Sequence, residues 1–263
     1  VLNFLVGGAA MNVFSRHIGA QFAIVDVGVS EAITHEKLIS RKIRRGTRNF
    51  VKEAAMTEAE AHEALSIGKD EAQNLIDNGA KCMIVGEMGI GNTTSASALL
   101  AAMTDQNITK LIGPGTGLSK EQMKVKEQII ENALKARMPD KNDPIDLVTK
   151  LGGFEIVAMA GAMLEAGRQR IPIILDGFIC TVSAIIATKM NRRVSDYMIA
   201  GHLSAEPGHR VALQYLDKQP LLELNMRLGE GTGAAIAYPI VEAATKMVSE
   251  MATFAEAGVS EKK

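Results

Sequence analysis

Tryptophan is absent, and Phe and Tyr together leave an aromatic share of only 4%. A surface that stacks nucleic-acid bases therefore has little to be built from. An excess of one charge is missing too. The 29 basic residues face 30 acidic ones, for a net charge of −1, so no global field favours nucleic acid or an anionic membrane. Cysteine is scarce: Cys82 and Cys180 both sit in apolar runs and read as small buried hydrophobes in a reducing compartment, not as a disulfide. No stretch reaches the ~18 unbroken apolar residues of a membrane span, and no secretory leader is visible. Cytoplasmic placement is the expectation. The chain starts at Val1 and runs straight into Leu2-Asn3-Phe4-Leu5-Val6, which reads as the start of a fragment.

What is present is apolar residue. A 47% hydrophobic share over 263 residues is enough for one large α/β domain with a small one appended. Residues 2–18 carry apolar positions at helical spacing and read as one helix despite Gly7-Gly8. The apolar run 22–27 reads as a buried strand ending at Asp26, read as a loop cap with ligand contact as the alternative. Residues 28–50 read as irregular and basic, with Arg41, Lys42, Arg44, Arg45 and Arg48 on a solvated face. Thr57 and Glu60 form a capping box that opens a helix stopped near Gly79. Further on, the apolar runs 81–85, 171–176 and 197–200 read as strands, separated by Ala- and Leu-rich helices. Alternation of strand and helix predicts a parallel sheet covered on both faces.

The chain is organised around Gly86-Glu87-Met88-Gly89-Ile90-Gly91-Asn92-Thr93-Thr94. A strand precedes it and a helix follows, with Thr93 or Thr94 available to cap that helix. Such a turn gathers free backbone N–H groups where an anion is favoured. Its glycine spacing fits neither a Walker A loop nor a dinucleotide fingerprint. Glu87 would repel a phosphate, so it is expected to face a sugar hydroxyl or a cationic ring. The alternative is an ordinary turn with glycines for packing. A second Gly-rich turn, Gly113-Pro114-Gly115-Thr116-Gly117, leads into a helix capped by Ser119 and Gln122. Lys126 in that helix could supply a counter-charge, or could simply be exposed. Glu230 stands between Gly229 and Gly231 at a strand-to-helix turn, where desolvation would make a carboxylate a better base; a surface turn is the alternative. His202, Glu206 and His209 invite a metal reading, but Pro207 and Gly208 break the helical spacing it would need. Ser204 lacks the Gly-x-Ser-x-Gly elbow of a hydrolase nucleophile.

These motifs occur together with Gly152-Gly153-Phe154-Glu155, Leu175-Asp176-Gly177-Phe178, His202-Leu203-Ser204-Ala205-Glu206 and Arg227-Leu228-Gly229-Glu230-Gly231-Thr232-Gly233-Ala234-Ala235. In that order, from Val1 to Phe254, the chain closely resembles the nicotinate-nucleotide:dimethylbenzimidazole phosphoribosyltransferase family, which works in cobalamin lower-ligand assembly. The resemblance implies an α/β fold, a Rossmann-like parallel sheet with helices on both faces, over residues 20–235. It adds a small helical part from 1–19 and 236–263. It implies transfer of phosphoribose from nicotinate mononucleotide to 5,6-dimethylbenzimidazole, giving α-ribazole 5′-phosphate and nicotinate. By motif, Glu230 looks like the general base and Glu87 like a carboxylate near the reacting centre. Gly89, Gly91, Asn92, Thr93, Gly115, Thr116, Gly117, Lys126, Asp176 and Ser204 look like substrate-binding positions.

No metal, redox group or other cofactor is required by that chemistry, and no nucleic acid or membrane partner is implied. Relatives form homodimers, so a homodimer is expected. Two departures stand out. Members of the family carry a further N-terminal region of several dozen residues that contributes to the base pocket. Pro114 also stands where Arg is more usual. Two other readings compete: a truncated subunit active only with a partner chain, and the same transfer to a different base.

Overall fold

The computed structural model describes residues 1–113 and 117–258. Two short helices come first, α1 (Leu2–Leu5) and α2 (Ala10–His17). The single helix expected over 2–18 is broken at Gly7, which takes φ +81°, a conformation glycine adopts without a Cβ penalty. β1 (Ile24–Asp26) pairs in parallel with β2 (Leu38–Ser40). β2 lies inside the stretch expected to be irregular; three residues give too short a run for alternation to show.

Capped by Thr57 and Glu60 as the sequence predicts, α3 (Glu58–Asp77) leads to β3 (Met83–Ile84) and α4 (Asn92–Thr104). Then come α5 (Lys120–Arg137), α6 (Pro144–Leu151) and α7 (Phe154–Arg168). The Ser119–Gln122 box and the Asp143-Pro144 start are both formed. β4 (Ile173–Leu175), α8 (Phe178–Met190), β5 (Met198–Ala200) and β6 (His202–Ser204) follow. α9 (Pro207–Tyr215), β7 (Leu222–Met226) and α10 (Thr232–Glu250) complete the described chain.

The order β3-β4-β5 is parallel, and β6 pairs in parallel with β7. Gly201 joins the two sheets: its N–H donates to Leu175 O, and Leu222 N–H donates to its carbonyl. Alternation along β4 then assigns the faces. Ile173 and Leu175 join the main core under α4, α7 and α8, while Ile174 packs on Ala234 and Ala237 of α10. Helices therefore cover both faces of a parallel sheet, as expected.

α3 and α7 approach so closely that side chains are excluded from the contact. A Cβ on Gly68 would lie 1.8 Å from Ala158 O, and one on Gly161 would lie 2.1 Å from Leu65 O. Gly68→Ala is expected to cost about 2–3 kcal/mol by overpacking, although alanine has the better helix propensity. Urea denaturation would test this, and a neutral or stabilising effect would contradict it. Among the described residues, no helix is long and apolar enough to cross a membrane.

Candidate active site

Ligands in parallel sheets bind beyond the carboxyl ends of the strands. Here those ends carry Glu87 after β3, Asp176 after β4, Ser204 on β6 and Glu230 after β7. Glycines bring two of these turns into contact. A Cβ on Gly86 would fall 2.5 Å from the Glu230 backbone, and one on Gly229 would fall 3.0 Å from Glu87 Oε1. Glu87 and Glu230, remote in sequence, thus face one cavity of about 1020 Å³ whose walls include Phe4, Met11, Val25 and Phe154.

Within the first turn, Gly91 takes φ +92° and caps α4. Neither Thr93 nor Thr94 is the cap, because the positive φ brings the chain into the helix one residue before the threonines. Glu87 Oε2 accepts from Asn92 Nδ2 at 2.5 Å and from Gly89 N at 3.2 Å. A Cβ on Gly89 would press on that amide at 2.6 Å. Burial pushes the Glu87 carboxyl up to about 7, with the Asn92 hydrogen bond opposing it and the nearby Glu155 adding to it.

Glu230 sits at φ +64°, an uncommon setting for a residue with a side chain, and its Oε2 accepts from Met11 N at 3.4 Å. What holds this turn is Asp176, 2% exposed. Its Oδ2 accepts from Gly231 N at 3.1 Å, and its Oδ1 from Gly233 N at 2.7 Å and Ala234 N at 3.1 Å. The N-terminus of α10 is thus filled by the protein's own carboxylate. Asp176, expected among the substrate-binding residues, thus has both oxygens engaged by the turn that carries Glu230.

The second Gly-rich turn is described only in part. Gly115 and Thr116, like Pro114, lie outside the described residues; Gly117 takes φ +118°. Lys126 is only 4% exposed, so the solvent-facing alternative does not hold. Its Nζ donates to Thr93 Oγ1 at 3.0 Å and to Gly113 O at 3.2 Å. One ammonium therefore joins the two Gly-rich turns. Burial lowers its pKa, and Glu206 opposes that shift.

Ser204 is held by His209. The Ser204 backbone N–H, which can only donate, reaches His209 Nδ1 at 2.8 Å. Nδ1 is therefore bare and the ring proton is on Nε2, which donates to Thr181 Oγ1 at 2.9 Å. Thr181 Oγ1 in turn donates to Gly177 O. Burial pushes His209 down to about 3, in keeping with this neutral tautomer. Ser204 opens on a smaller hollow of about 620 Å³ beside Glu206 and Arg210, not on the large cavity. Among the described residues, no group of three or more His, Cys, Asp or Glu is placed to hold a metal ion.

Four of the early basic residues, Arg41, Lys42, Arg44 and Arg48, are paired within the fold. Asp26 Oδ1 accepts from Gly28 N and Val29 N, and its Oδ2 pairs with Lys42 at 2.9 Å, so it caps its loop. Arg44 and Arg48 pair with Glu60, and Arg41 with Glu71. They fasten the segment to α3, while Arg41 and Arg45 stay exposed as the sequence suggested. Glu155, quoted in a motif but given no role there, is a wall residue of the large cavity. Its signal is the Gly152-Gly153 helix stop, which puts it in the first turn of α7.

A protein-family model described as Phosphoribosyltransferase matches residues 1–259. The nicotinate-nucleotide–dimethylbenzimidazole phosphoribosyltransferase of Chloroflexus aurantiacus is 48% identical over 263 residues, covering 100% of this chain and 75% of that protein. The enzyme of the same name from Pseudomonas fluorescens (strain SBW25) is 46% identical, covering 99% of this chain and 74% of that protein. The crystal structure of CobT from Thermus thermophilus superposes with a TM-score of 0.94 at 44% identity, covering 99% of this chain and 78% of that one. The chain belongs to the nicotinate-nucleotide–dimethylbenzimidazole phosphoribosyltransferase family.

Proposed function

We propose that the chain transfers the phosphoribosyl group of nicotinate mononucleotide to 5,6-dimethylbenzimidazole, with Glu230 as general base and Glu87 beside the reacting carbon. The observation that carries these roles is the contact of the Gly86 and Gly229 turns, which sets both carboxyls at one cavity. The donor's pyridinium nitrogen is already cationic. When its bond to C1′ breaks, the electron pair returns to the ring and nicotinate leaves without an acid. Positive charge develops on the ribose, and ionised Glu87 stabilises it across a partly dry cavity. One benzimidazole nitrogen attacks C1′. The other nitrogen then sheds its proton to Glu230, leaving α-ribazole 5′-phosphate with a neutral benzimidazole ring.

Lys126, with Thr93 and the two Gly-rich turns, including Gly89, Gly91, Gly115, Thr116 and Gly117, takes the 5′-phosphate. Asn92 holds Glu87, Asp176 holds the Glu230 turn, and Ser204 forms pocket wall over the smaller hollow. We assign the α/β part to 20–235 and a small helical part to 1–19 and 236–263, working as a homodimer in the cytoplasm. The relatives compared carry one name, that of the dimethylbenzimidazole enzyme, and nothing favours another acceptor or a partner-dependent subunit.

The test is release of nicotinate from nicotinate mononucleotide by the 263-residue chain. Release that requires dimethylbenzimidazole is expected; release independent of the base, or none, would overturn the reading. Lys126→Met should raise KM for nicotinate mononucleotide about 10–100-fold, the loss of one charge-assisted hydrogen bond to phosphate, with kcat changed less. An unchanged KM in steady-state assays would remove Lys126 from the phosphate site.

A further inference from the structure

We infer that Asn12 is a positioning residue for the transfer: it builds the first turn of α2 so that the Met11 N–H holds one oxygen of Glu230 and leaves the other for the proton. The inference rests on the proposed function for the role of Glu230 as base, while its geometry stands alone. α2 opens without a side-chain cap. The residue before its first turn is Ala9, whose methyl accepts no hydrogen bond. Ser, Thr, Asp or Asn at that position would take an N–H of the first turn for its own chain. The first N–H groups of a helix have no intrahelical partner, so this turn keeps a donor to spare.

Met11, the second residue of α2, gives that donor to Glu230. Its N–H reaches Glu230 Oε2 at 3.4 Å, across 219 positions of sequence. Among the described residues it is the one hydrogen-bond donor to that carboxyl. Gly229 and Gly231 flank Glu230 and bring no side chain to steer it. A carboxylate is also favoured at a helix N-terminus. The bond engages Oε2 alone, which leaves Oε1 to take the benzimidazole proton.

Asn12 makes this turn. Its Oδ1 accepts from Ala9 N at 3.0 Å, and its Nδ2 donates to Phe4 O at 3.1 Å. Ser15 Oγ donates to the Asn12 carbonyl at 3.0 Å. One amide thus closes the start of α2 in place of the missing cap and ties it to α1. Asn12 is 7% exposed, and Met11, not Asn12, stands in the cavity wall. Asn12 therefore acts through the Met11 N–H. α2 packs on α10, which begins at Thr232 just after Glu230, so donor and carboxyl ride on elements in contact.

The experiment is a double-mutant cycle between Asn12→Leu, which keeps the volume and removes the amide, and Glu230→Gln. Asn12→Leu is expected to lower kcat about 10-fold or more by misplacing the base, with KM for nicotinate mononucleotide nearly unchanged. In the Glu230→Gln background the same substitution should change kcat by less than about twofold. An equal loss in both backgrounds, or none in the wild type, would overturn the inference. The second readout is the Met11 amide proton in ¹⁵N-methionine-labelled chain, assigned through Met11→Leu. Glu230→Gln, which takes the charge from the bond, should move that resonance upfield, as should Asn12→Leu, and the double variant no further. A resonance that ignores Glu230→Gln is fatal. If Asn12→Leu fails to fold, the α-hydroxy analogue of methionine at position 11 replaces the N–H by an ester oxygen, and unchanged turnover there is equally fatal. The resonance needs no turnover, so a chain that releases no nicotinate would sink the proposed function and still decide whether Asn12 fixes Glu230.

Discussion

Glu230→Gln is expected to lose about 10²- to 10⁴-fold in kcat, the range for removing a positioned general base. Glutamine keeps the volume and one oxygen. The hydrogen bond from Met11 N and the φ +64° turn can both survive, and binding of nicotinate mononucleotide should persist. What is lost is a group able to take the second benzimidazole proton. The product would then have to form with a benzimidazolium ring in a partly dry cavity. Stopped assays of nicotinate release beside calorimetric binding of nicotinate mononucleotide separate the two effects. Turnover within about threefold of wild type would remove Glu230 as the base; loss of folding would move the argument to the turn itself.

Asp176→Ala is expected to cost about 3–5 kcal/mol of stability, in the range for breaking a buried ionic hydrogen-bond network from one side. Its carboxylate accepts from the N–H groups of Gly231, Gly233 and Ala234, and no water can replace it at 2% exposure. His202, also buried, holds its Nε2 at 3.4 Å from Asp176 Oδ1. The alanine variant would strip that ring of a neighbour and leave three donors unpaired. Turnover should fall too, because the same bonds fix the strained turn on which Glu230 stands. Guanidinium denaturation gives the first quantity. A loss below about 1 kcal/mol would mean that the α10 terminus finds other partners and that Asp176 is not its anchor.

How much of this was readable beforehand follows a physical division. Helix starts were legible wherever a local rule suffices. The Thr57/Glu60 and Ser119/Gln122 boxes and Asp143-Pro144 all form, because capping engages residues three apart or fewer. The start of α4 was misassigned to threonine, since Gly91 caps it through a positive φ that leaves no side-chain signature. β2 was missed because three paired residues owe their conformation to β1, a partner far enough away to be silent in the local pattern. Arg44 and Arg48 looked like surface charge; their partner Glu60 is found only when α3 folds against them.

The site divides the same way. The sequence by itself determined the inventory: glycine-rich turns at strand ends, a carboxylate in each of two of them, a lysine after the second, and a family resemblance resting on their order. It could do so because turn chemistry and helix starts are short-range, and glycine, proline and capping residues announce them locally. Only the tertiary structure decided which of those groups meet. It put Glu87 against the Glu230 turn, buried Lys126 between two loops, spent Asp176 on the α10 terminus, and drew Glu155 into the cavity wall. Those outcomes depend on close approaches between remote backbones, such as Gly86 against Glu230. A one-dimensional pattern carries no such distances, because they are set by how the sheet and its helices pack.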